Sequence, residues 1–148
     1  MGEHILVPTD GSPEAERAFE YALTLPHDEL TLITVINPFD VDPIKPGYQS
    51  PLGKAGMPAF SQEWYENVRD DAKGMHEELR ERADDPDAVG SVVRFGQPTR
   101  GILRYVDEAD VDHVVLASRG KRDLSKLLLG SVAETVVRRS PVPVTVVR

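Results

Sequence analysis

The chain has 148 residues and carries a formal net charge of −8 at pH 7. This is the usual length of one domain, and the lack of cysteine excludes disulfide scaffolds, thiol catalysis and cysteine zinc sites. The negative charge argues against nonspecific binding to DNA or anionic membranes. The acidic, lysine-poor composition fits both a high-salt cytosol and ordinary genome composition. No basic leader or membrane-length apolar run is present, which predicts a cytoplasmic protein.

The first third of the chain alternates between strand and helix patterns. Residues 3–8 predict a short buried strand that ends at a turn. Ser12 followed by Pro13 is typical of a helix start, with Ser12 as the N-cap. That helix ends at Pro26, and the β-branched run at 29–36 predicts a second strand.

Residues 37–60 interrupt this alternation with five prolines and three glycines. A loop of that length is uncommon in a compact domain unless it covers a site or is mobile. We expect it to be partly mobile and to touch a ligand. From Ser61 the spacing predicts a long amphipathic helix that ends before Asp84, with Trp64 on its apolar stripe as a core residue.

The second half repeats the alternation. Gly96, Gln97 and Pro98 predict a helix start, and residues 118–130 predict a loop with helical character. The remaining elements are strands at 89–95, 111–117 and 142–147 and a short helix at 131–139.

The order β-α-β-α-β-α-β-α-β predicts an α/β fold, in which a parallel sheet is covered by helices on both faces. No linker separates parts of the chain, so we expect one domain over residues 1–148. Ligands of such sheets bind beyond the carboxyl ends of the strands, where the strand order reverses. The segments after the first and fourth strands are therefore the candidate sites.

The segment after the fourth strand is rich in glycine and positive charge. Gly120 and Gly130 would let the backbone approach a phosphate, and Ser131 begins a helix whose N–H groups favour anions. The run 117–131 has a net charge of +3 inside an acidic chain, because it has four basic side chains and one acidic, namely Arg119, Lys121, Arg122 and Lys126 against Asp123. An alternative stays open, because Ser131 and Glu134 also form a capping-box pattern and Gly130 could be a turn glycine.

The segment Pro8-Thr9-Asp10-Gly11-Ser12 follows the first strand. Asp10 could accept hydrogen bonds from a ligand or help hold a divalent cation that bridges phosphates. The alternative role of Asp10 is that of a turn residue that binds nearby backbone N–H groups. Both loops are expected to flank one crevice.

Three stretches carry a specific resemblance. The opening ILVPTDGSPEAERAFEYAL, the segment DHVVLASRG, and the run Gly120-(nine residues)-Gly130-Ser131 within LSKLLLGSVAETVVRRSPVPVTVVR resemble the universal stress protein family. The likeness covers the whole chain except 37–60, a variable loop in that family. It implies a Rossmann-like, adenine-nucleotide-binding fold with a five-stranded sheet of order 3-2-1-4-5. It also implies a homodimer formed through the last strand, 142–147.

The ATP-binding branch of the family carries the motif G-x2-G-x9-G-[ST]. The resemblance implies that the glycines, Ser131 and the Val132 N–H bind the phosphates of ATP. ATP could be bound together with Mg²⁺ or Mn²⁺. The resemblance also implies that Val35 or Ile36 lies against the base. The nucleotide-contacting residues implied in this way are Pro8, Thr9, Asp10, Val35, Ile36, Ala117, Ser118, Arg119, Gly120, Gly130, Ser131 and Val132.

One position departs from the motif, because Ala117 replaces its first glycine. The extra methyl group is tolerable if the backbone there is strand-like, but it would crowd the ligand if φ is positive.

The four histidines, His4, His27, His76 and His113, show no metal-ligand spacing and are interpreted as surface or strand-end residues. Neither a Ser-His-Asp arrangement nor a Walker lysine motif is present. Three functions therefore compete. They are a nucleotide-binding regulatory protein with little or no catalysis, a slow ATPase in which Asp10 orients water, and a dimerisation module that binds no nucleotide.

Overall fold

The structure, a computed structural model, describes residues 3–40, 61–119 and 129–148. Its strands form one parallel five-stranded sheet of order β3-β2-β1-β4-β5, as the resemblance implied. The strands are β1 (His4–Pro8), β2 (Glu29–Ile36), β3 (Val89–Phe95), β4 (His113–Ala117) and β5 (Val144–Val147). The helices are α1 (Pro13–Leu23), α2 (Gln62–Arg80), α3 (Pro98–Glu108) and α4 (Ser131–Arg139).

Side-chain caps define the starts of three helices. The Ser12 hydroxyl accepts the Ala15 N–H at 3.2 Å at the start of α1, and Ser61 caps α2 in the same way. Gln97 caps α3, and proline occupies the first position of both α1 and α3. These starts were predicted from the sequence because capping depends on neighbouring residues alone.

Two apolar cores lie on opposite faces of the sheet. The first joins α1 and α2 to the sheet through Phe19, Leu79 and the strand residues Val7, Leu32 and Val115. The second joins α3 and α4 to the other face; its buried members include Leu6, Ile33, Ile102, Leu116 and Val136. The prediction of a parallel sheet covered on both faces is therefore confirmed.

Two strands start two residues later than the sequence predicted, and β1 starts one residue later, at His4. β4 begins at His113, because Asp112 binds His4 through its side chain, which accepts the His4 N–H at 2.9 Å. β5 begins at Val144 rather than at residue 142, because the Ser140 hydroxyl engages both the N–H and the carbonyl of Val142. In both cases a side-chain oxygen accepts a backbone N–H that would otherwise bond to a neighbouring strand.

Two predicted segments fall largely outside the described residues. Of the predicted loop 37–60, the structure describes residues 37–40, where Pro38–Asp40 forms a short 3₁₀ turn. Of the predicted helical loop 118–130, it describes Ser118, Arg119, Leu129 and Gly130. Within the described ranges, no helix is both long and apolar enough to cross a lipid bilayer.

Candidate functional site

The strand order reverses between β1 and β4, which lie side by side at the centre of the sheet. From β1 the chain runs outward through β2 to β3, and it returns to begin β4 on the other side of β1. Sheets of this kind bind ligands where the strand order reverses, so the segments that leave the carboxyl ends of β1 and β4 are the candidate walls of a site.

The segment after β1 is held by hydrogen bonds at nearly every residue. Thr9 is buried; its N–H donates to the Ile33 carbonyl at 2.9 Å, and its hydroxyl accepts the Gly11 N–H at 3.2 Å. The Asp10 carboxylate accepts the Ser12 N–H at 2.9 Å. Gly11 has a φ of 81°, a conformation that glycine adopts without strain. The turn role predicted for Asp10 is thus confirmed, while the carboxylate itself is exposed.

A backbone hydrogen bond joins the end of β4 to the start of α4. The Ser118 N–H donates to the Val147 carbonyl at 2.9 Å, which continues the pairing of β4 with β5. The Ser118 carbonyl accepts the Gly130 N–H at 2.6 Å. The beginning of α4 is therefore fixed against the end of β4. Gly120 and the charged residues Lys121, Arg122, Asp123 and Lys126 lie outside the described residues.

The first residue of α4 is Ser131, and the N-cap is Gly130. No side chain in the described part of the chain caps this end, so the capping-box interpretation of Ser131 and Glu134 is wrong. Gly130 is buried with a φ of −65° and does not need a positive φ. Ser131 is exposed in the first turn, beside N–H groups that have no partner within the helix. This arrangement can bind an anion.

Arg119 links the two segments. Its guanidinium lies 3.5 Å from the Glu14 carboxylate in the first turn of α1, and both side chains are largely buried. Part of the positive charge predicted for the loop after β4 is therefore neutralised by α1. Arg119 contributes less to anion attraction than the sequence suggested and more to holding the two segments together.

Ala117 is the last residue of β4 and pairs with Val147. Among the described residues, Asp110 is the one non-glycine residue with positive φ, so Ala117 has the strand-like backbone that tolerates a methyl group. That methyl packs against the core beneath α1 and α2. The replacement of the motif glycine therefore causes no backbone strain.

The end of β2 extends past the end of β1. Pro8 pairs with Ile33, and three further residues of β2 continue beyond that point, about 10 Å of strand. Val35 turns its side chain toward α3, where a Cβ at Gly101 would lie only 2.9 Å from the Val35 methyl groups. Ile36 accepts the Gly96 N–H through its carbonyl at 2.8 Å. Val35 and Ile36 are successive strand residues, so their side chains face opposite sides of the sheet, and that of Val35 is committed to packing against α3.

His76 is buried, so its interpretation as a surface or strand-end residue is wrong. It lies on α2 with no exposed surface, and its Nε2 is 2.8 Å from the Thr34 hydroxyl. Its Nδ1 is 2.6 Å from the Ser91 hydroxyl. The pKa of His76 is lowered to about 4, mainly by burial and secondly by Lys73, while Glu77 acts in the opposite direction. His76 follows Ala72 by four residues on the buried stripe of α2, and that spacing was the available signal.

The other histidines contact neighbouring polar groups. The Nδ1 atom of His4 lies 3.2 Å from the Ala109 carbonyl oxygen, and that of His27 lies 2.7 Å from the Leu25 carbonyl oxygen. His4 contacts Thr31 at the start of the sheet, and His113 contacts Thr145 of β5. Among the described residues, no cluster of histidine, aspartate and glutamate side chains could hold a metal ion.

Comparisons with known proteins agree with this architecture. The profile of the universal stress protein family matches residues 1–148. The universal stress protein MJ0577 of Methanocaldococcus jannaschii is 31% identical over 156 residues, which cover 100% of this chain and 96% of that protein. Its solved structure superposes with a TM-score of 0.79 at 28% identity, covering 99% of this chain and 96% of that one.

Two more distant structures share the fold and are described with nucleotides. A universal stress protein in complex with cAMP has a TM-score of 0.63 at 19% identity, with 99% of this chain and 97% of that chain covered. A family protein of Arabidopsis thaliana with AMP bound has a TM-score of 0.58 at 16% identity, with 98% and 90% covered.

Proposed function

Because the chain belongs to the universal stress protein family, we propose that it is a stress-response regulator that binds ATP and changes conformation or dimer state with little or no catalysis. The cytoplasm is the compartment where such a protein would meet millimolar ATP. A site with micromolar affinity, about −8 kcal/mol, would be filled there.

One observation carries this proposal. The Gly130 N–H binds the Ser118 carbonyl, which fixes the start of α4 at the end of β4, on the side where β1 also ends. The α4 N–H groups and the Thr9–Ser12 turn would then stand on two sides of one binding crevice. A phosphate chain would accept hydrogen bonds from the first group while a ribose hydroxyl would donate to the exposed Asp10 carboxylate.

Adenine is the proposed base because family members have been solved with cAMP and with AMP. Ile36 at the end of β2 would supply the apolar contact for the base, since the Val35 side chain packs against α3. The strand-like backbone of Ala117 favours nucleotide binding over the alternative of a dimerisation module without nucleotide, since Ala117 was the feature that favoured that alternative.

The test is titration with ATP, ADP, AMP and adenosine, followed by calorimetry and thermal unfolding. If phosphates bind at α4, stabilisation should grow with phosphate number. Gly130→Val should abolish it by blocking approach to the helix. Gly74→Val is the matched control, because a Cβ at Gly74 would meet no atom within 4 Å. Absence of stabilisation by millimolar ATP in the unaltered protein would refute the proposal.

Slow hydrolysis of ATP is the second candidate; Asp10 would help to hold Mg²⁺ or Mn²⁺, which would neutralise charge on the phosphates. The exposed Asp10 carboxylate at the mouth of the crevice is the observation that favours it. Phosphate release above buffer rates that disappears in Asp10→Ala would establish it. Release that persists in that variant would exclude this role for Asp10.

A homodimer through β5 completes the proposal. β5 is an edge strand of the sheet, and each of its four residues, Val144–Val147, is only half-buried. A second copy would cover these side chains and pair with the outer backbone groups. Light scattering should give the mass of a dimer, and Thr145→Asp or Val147→Asp should shift it toward a monomer. A monomer at high protein concentration would contradict the assignment.

A further inference from the structure

A chain of three hydrogen bonds, two of them buried and one partly buried, crosses from β3 to the end of β1. The Ser91 hydroxyl lies 2.6 Å from Nδ1 of His76, and Nε2 of His76 lies 2.8 Å from the Thr34 hydroxyl. The Thr34 hydroxyl lies 2.8 Å from the carbonyl oxygen of Thr9. We refer to Ser91, His76 and Thr34 as the relay; it connects α2 and two strands to the first residue of the candidate site.

The direction of every hydrogen bond in the relay can be deduced. A carbonyl oxygen only accepts, so the Thr34 hydroxyl donates its single hydrogen to Thr9. Thr34 must then accept from His76, which places the imidazole hydrogen on Nε2. A neutral imidazole has one N–H, so its Nδ1 accepts from the Ser91 hydroxyl. The three hydrogen bonds therefore run in one direction and end on the Thr9 carbonyl.

The end of the relay determines the orientation of the Thr9–Asp10 peptide. Because a peptide group is planar and trans, its carbonyl and N–H point in opposite directions. With the Thr9 carbonyl turned toward Thr34 of β2, the Asp10 N–H points away from Thr34. The Thr9 N–H is also fixed, by the Ile33 carbonyl. Both peptide groups that flank Thr9 are thus held before any ligand arrives.

We propose that His76 and Thr34 are positioning residues of the candidate nucleotide site, which orient the Thr9–Asp10 peptide for ligand binding through the relay. This inference rests on the proposed function. It assigns a role in binding to a fully buried histidine on a helix that contributes no predicted ligand contact. Preorganised backbone groups bind more tightly because less order is lost when the ligand arrives.

The opposite end of the sheet provides a control. Thr31, also on β2, has its hydroxyl 2.8 Å from Nε2 of His4, and both residues are buried. Thr31→Val and Thr34→Val therefore each remove a hydroxyl group from β2, and each hydroxyl contacts Nε2 of a histidine. Only Thr34 is connected to Thr9.

The experiment measures ATP affinity by calorimetry in the unaltered protein and in Thr34→Val, Thr34→Ser and Thr31→Val. Thr34→Val should weaken binding about tenfold, the equivalent of one hydrogen bond to a charged ligand. Thr34→Ser keeps the hydroxyl and should restore binding to within about twofold. Thr31→Val should lower thermal stability with affinity unchanged. Unchanged affinity in Thr34→Val, or equal loss in Thr31→Val, would overturn the inference.

A ligand-free measurement separates this inference from the proposed function. The amide signals of Asp10 and Gly11 in ¹H–¹⁵N spectra should shift in Thr34→Val and stay in place in Thr31→Val. If the unaltered protein binds no nucleotide, the proposed function fails, and these spectra alone decide whether the relay orients the turn. Unshifted signals would overturn the relay even if ATP binds.

A second pair of variants serves if Thr34→Val does not fold. His76→Gln keeps an N–H that can reach Thr34, whereas His76→Leu removes it. ATP should bind about tenfold more weakly to His76→Leu and within about threefold of the unaltered protein to His76→Gln. Equal affinities of the two variants would overturn the inference.

Discussion

Protonation of His76 should destabilise the fold as the pH falls below neutrality. The imidazole has no exposed surface, and both of its nitrogens are engaged by hydroxyl groups. Burial is the main cause that lowers its pKa to about 4, Lys73 acts in the same direction, and Glu77 opposes them. A second hydrogen on Nδ1 would also face the Ser91 hydroxyl, which now donates, so the relay could not keep its direction.

The sign and size of the effect follow from the two pKa values. In the unfolded chain His76 titrates near 6.5, and in the folded protein near 4. Between these values the unfolded state binds a proton that the folded state does not, so stability is complete above about pH 6.5 and falls as the pH drops toward 4. The interval corresponds to about 3 kcal/mol. That is a large share of a typical free energy of unfolding, about 5–15 kcal/mol.

Urea denaturation at several pH values between 4 and 7 measures this contribution, with His76→Gln as the comparison. The variant lacks the titrating group but keeps all carboxylates, whose titration therefore cancels in the difference. His76→Gln should be the less stable protein at pH 7, where it lacks a buried hydrogen bond, and its deficit should shrink by about 3 kcal/mol toward pH 4. Parallel stability profiles of the two proteins would refute the reasoning.

Three further predictions concern small local changes, each measured by urea denaturation. Gly101→Ala should destabilise the protein by about 1 kcal/mol or more, because the new Cβ would lie 2.9 Å from the Val35 methyl groups. Gly74→Ala should stabilise the protein by about 0.5–1 kcal/mol, because a Cβ there would lie in open space on α2. Ser12→Ala should cost about 1 kcal/mol by removing the cap of α1. Ala117→Gly should cost about 0.5–1 kcal/mol in β4 and leave ATP affinity, followed by calorimetry, unchanged.

The order of elements was readable from the sequence because its signals are local. Ser12 before Pro13 and Gln97 before Pro98 each specify a helix start within a few residues. Apolar runs between such starts then indicate strands, and alternation of the two implies a parallel sheet. The starts of β4 and β5 were misjudged because there a side chain, that of Asp112 or Ser140, takes over a backbone hydrogen bond.

The relay could not be predicted in the same way. His76 is separated from Thr34 by 42 residues and from Ser91 by 15, and only the register of β2 against β3 brings the three side chains together. The i, i+4 spacing could have placed His76 on the buried face of α2. Which polar groups would meet it there depends on strand pairing, a long-range property.

Ser131 shows how a long-range contact decides between two local patterns. The sequence allowed Ser131 to cap α4 with its own hydroxyl or to present that hydroxyl to a ligand, and one side chain cannot do both. The hydrogen bond from the Gly130 N–H to the Ser118 carbonyl fixes Gly130 where the chain leaves β4, and the helix begins one residue later. Ser131 then lies inside the first turn, exposed beside the N–H groups of α4. The hydrogen bond between Gly130 and Ser118 therefore makes Ser131 a candidate phosphate contact and not the N-cap of α4.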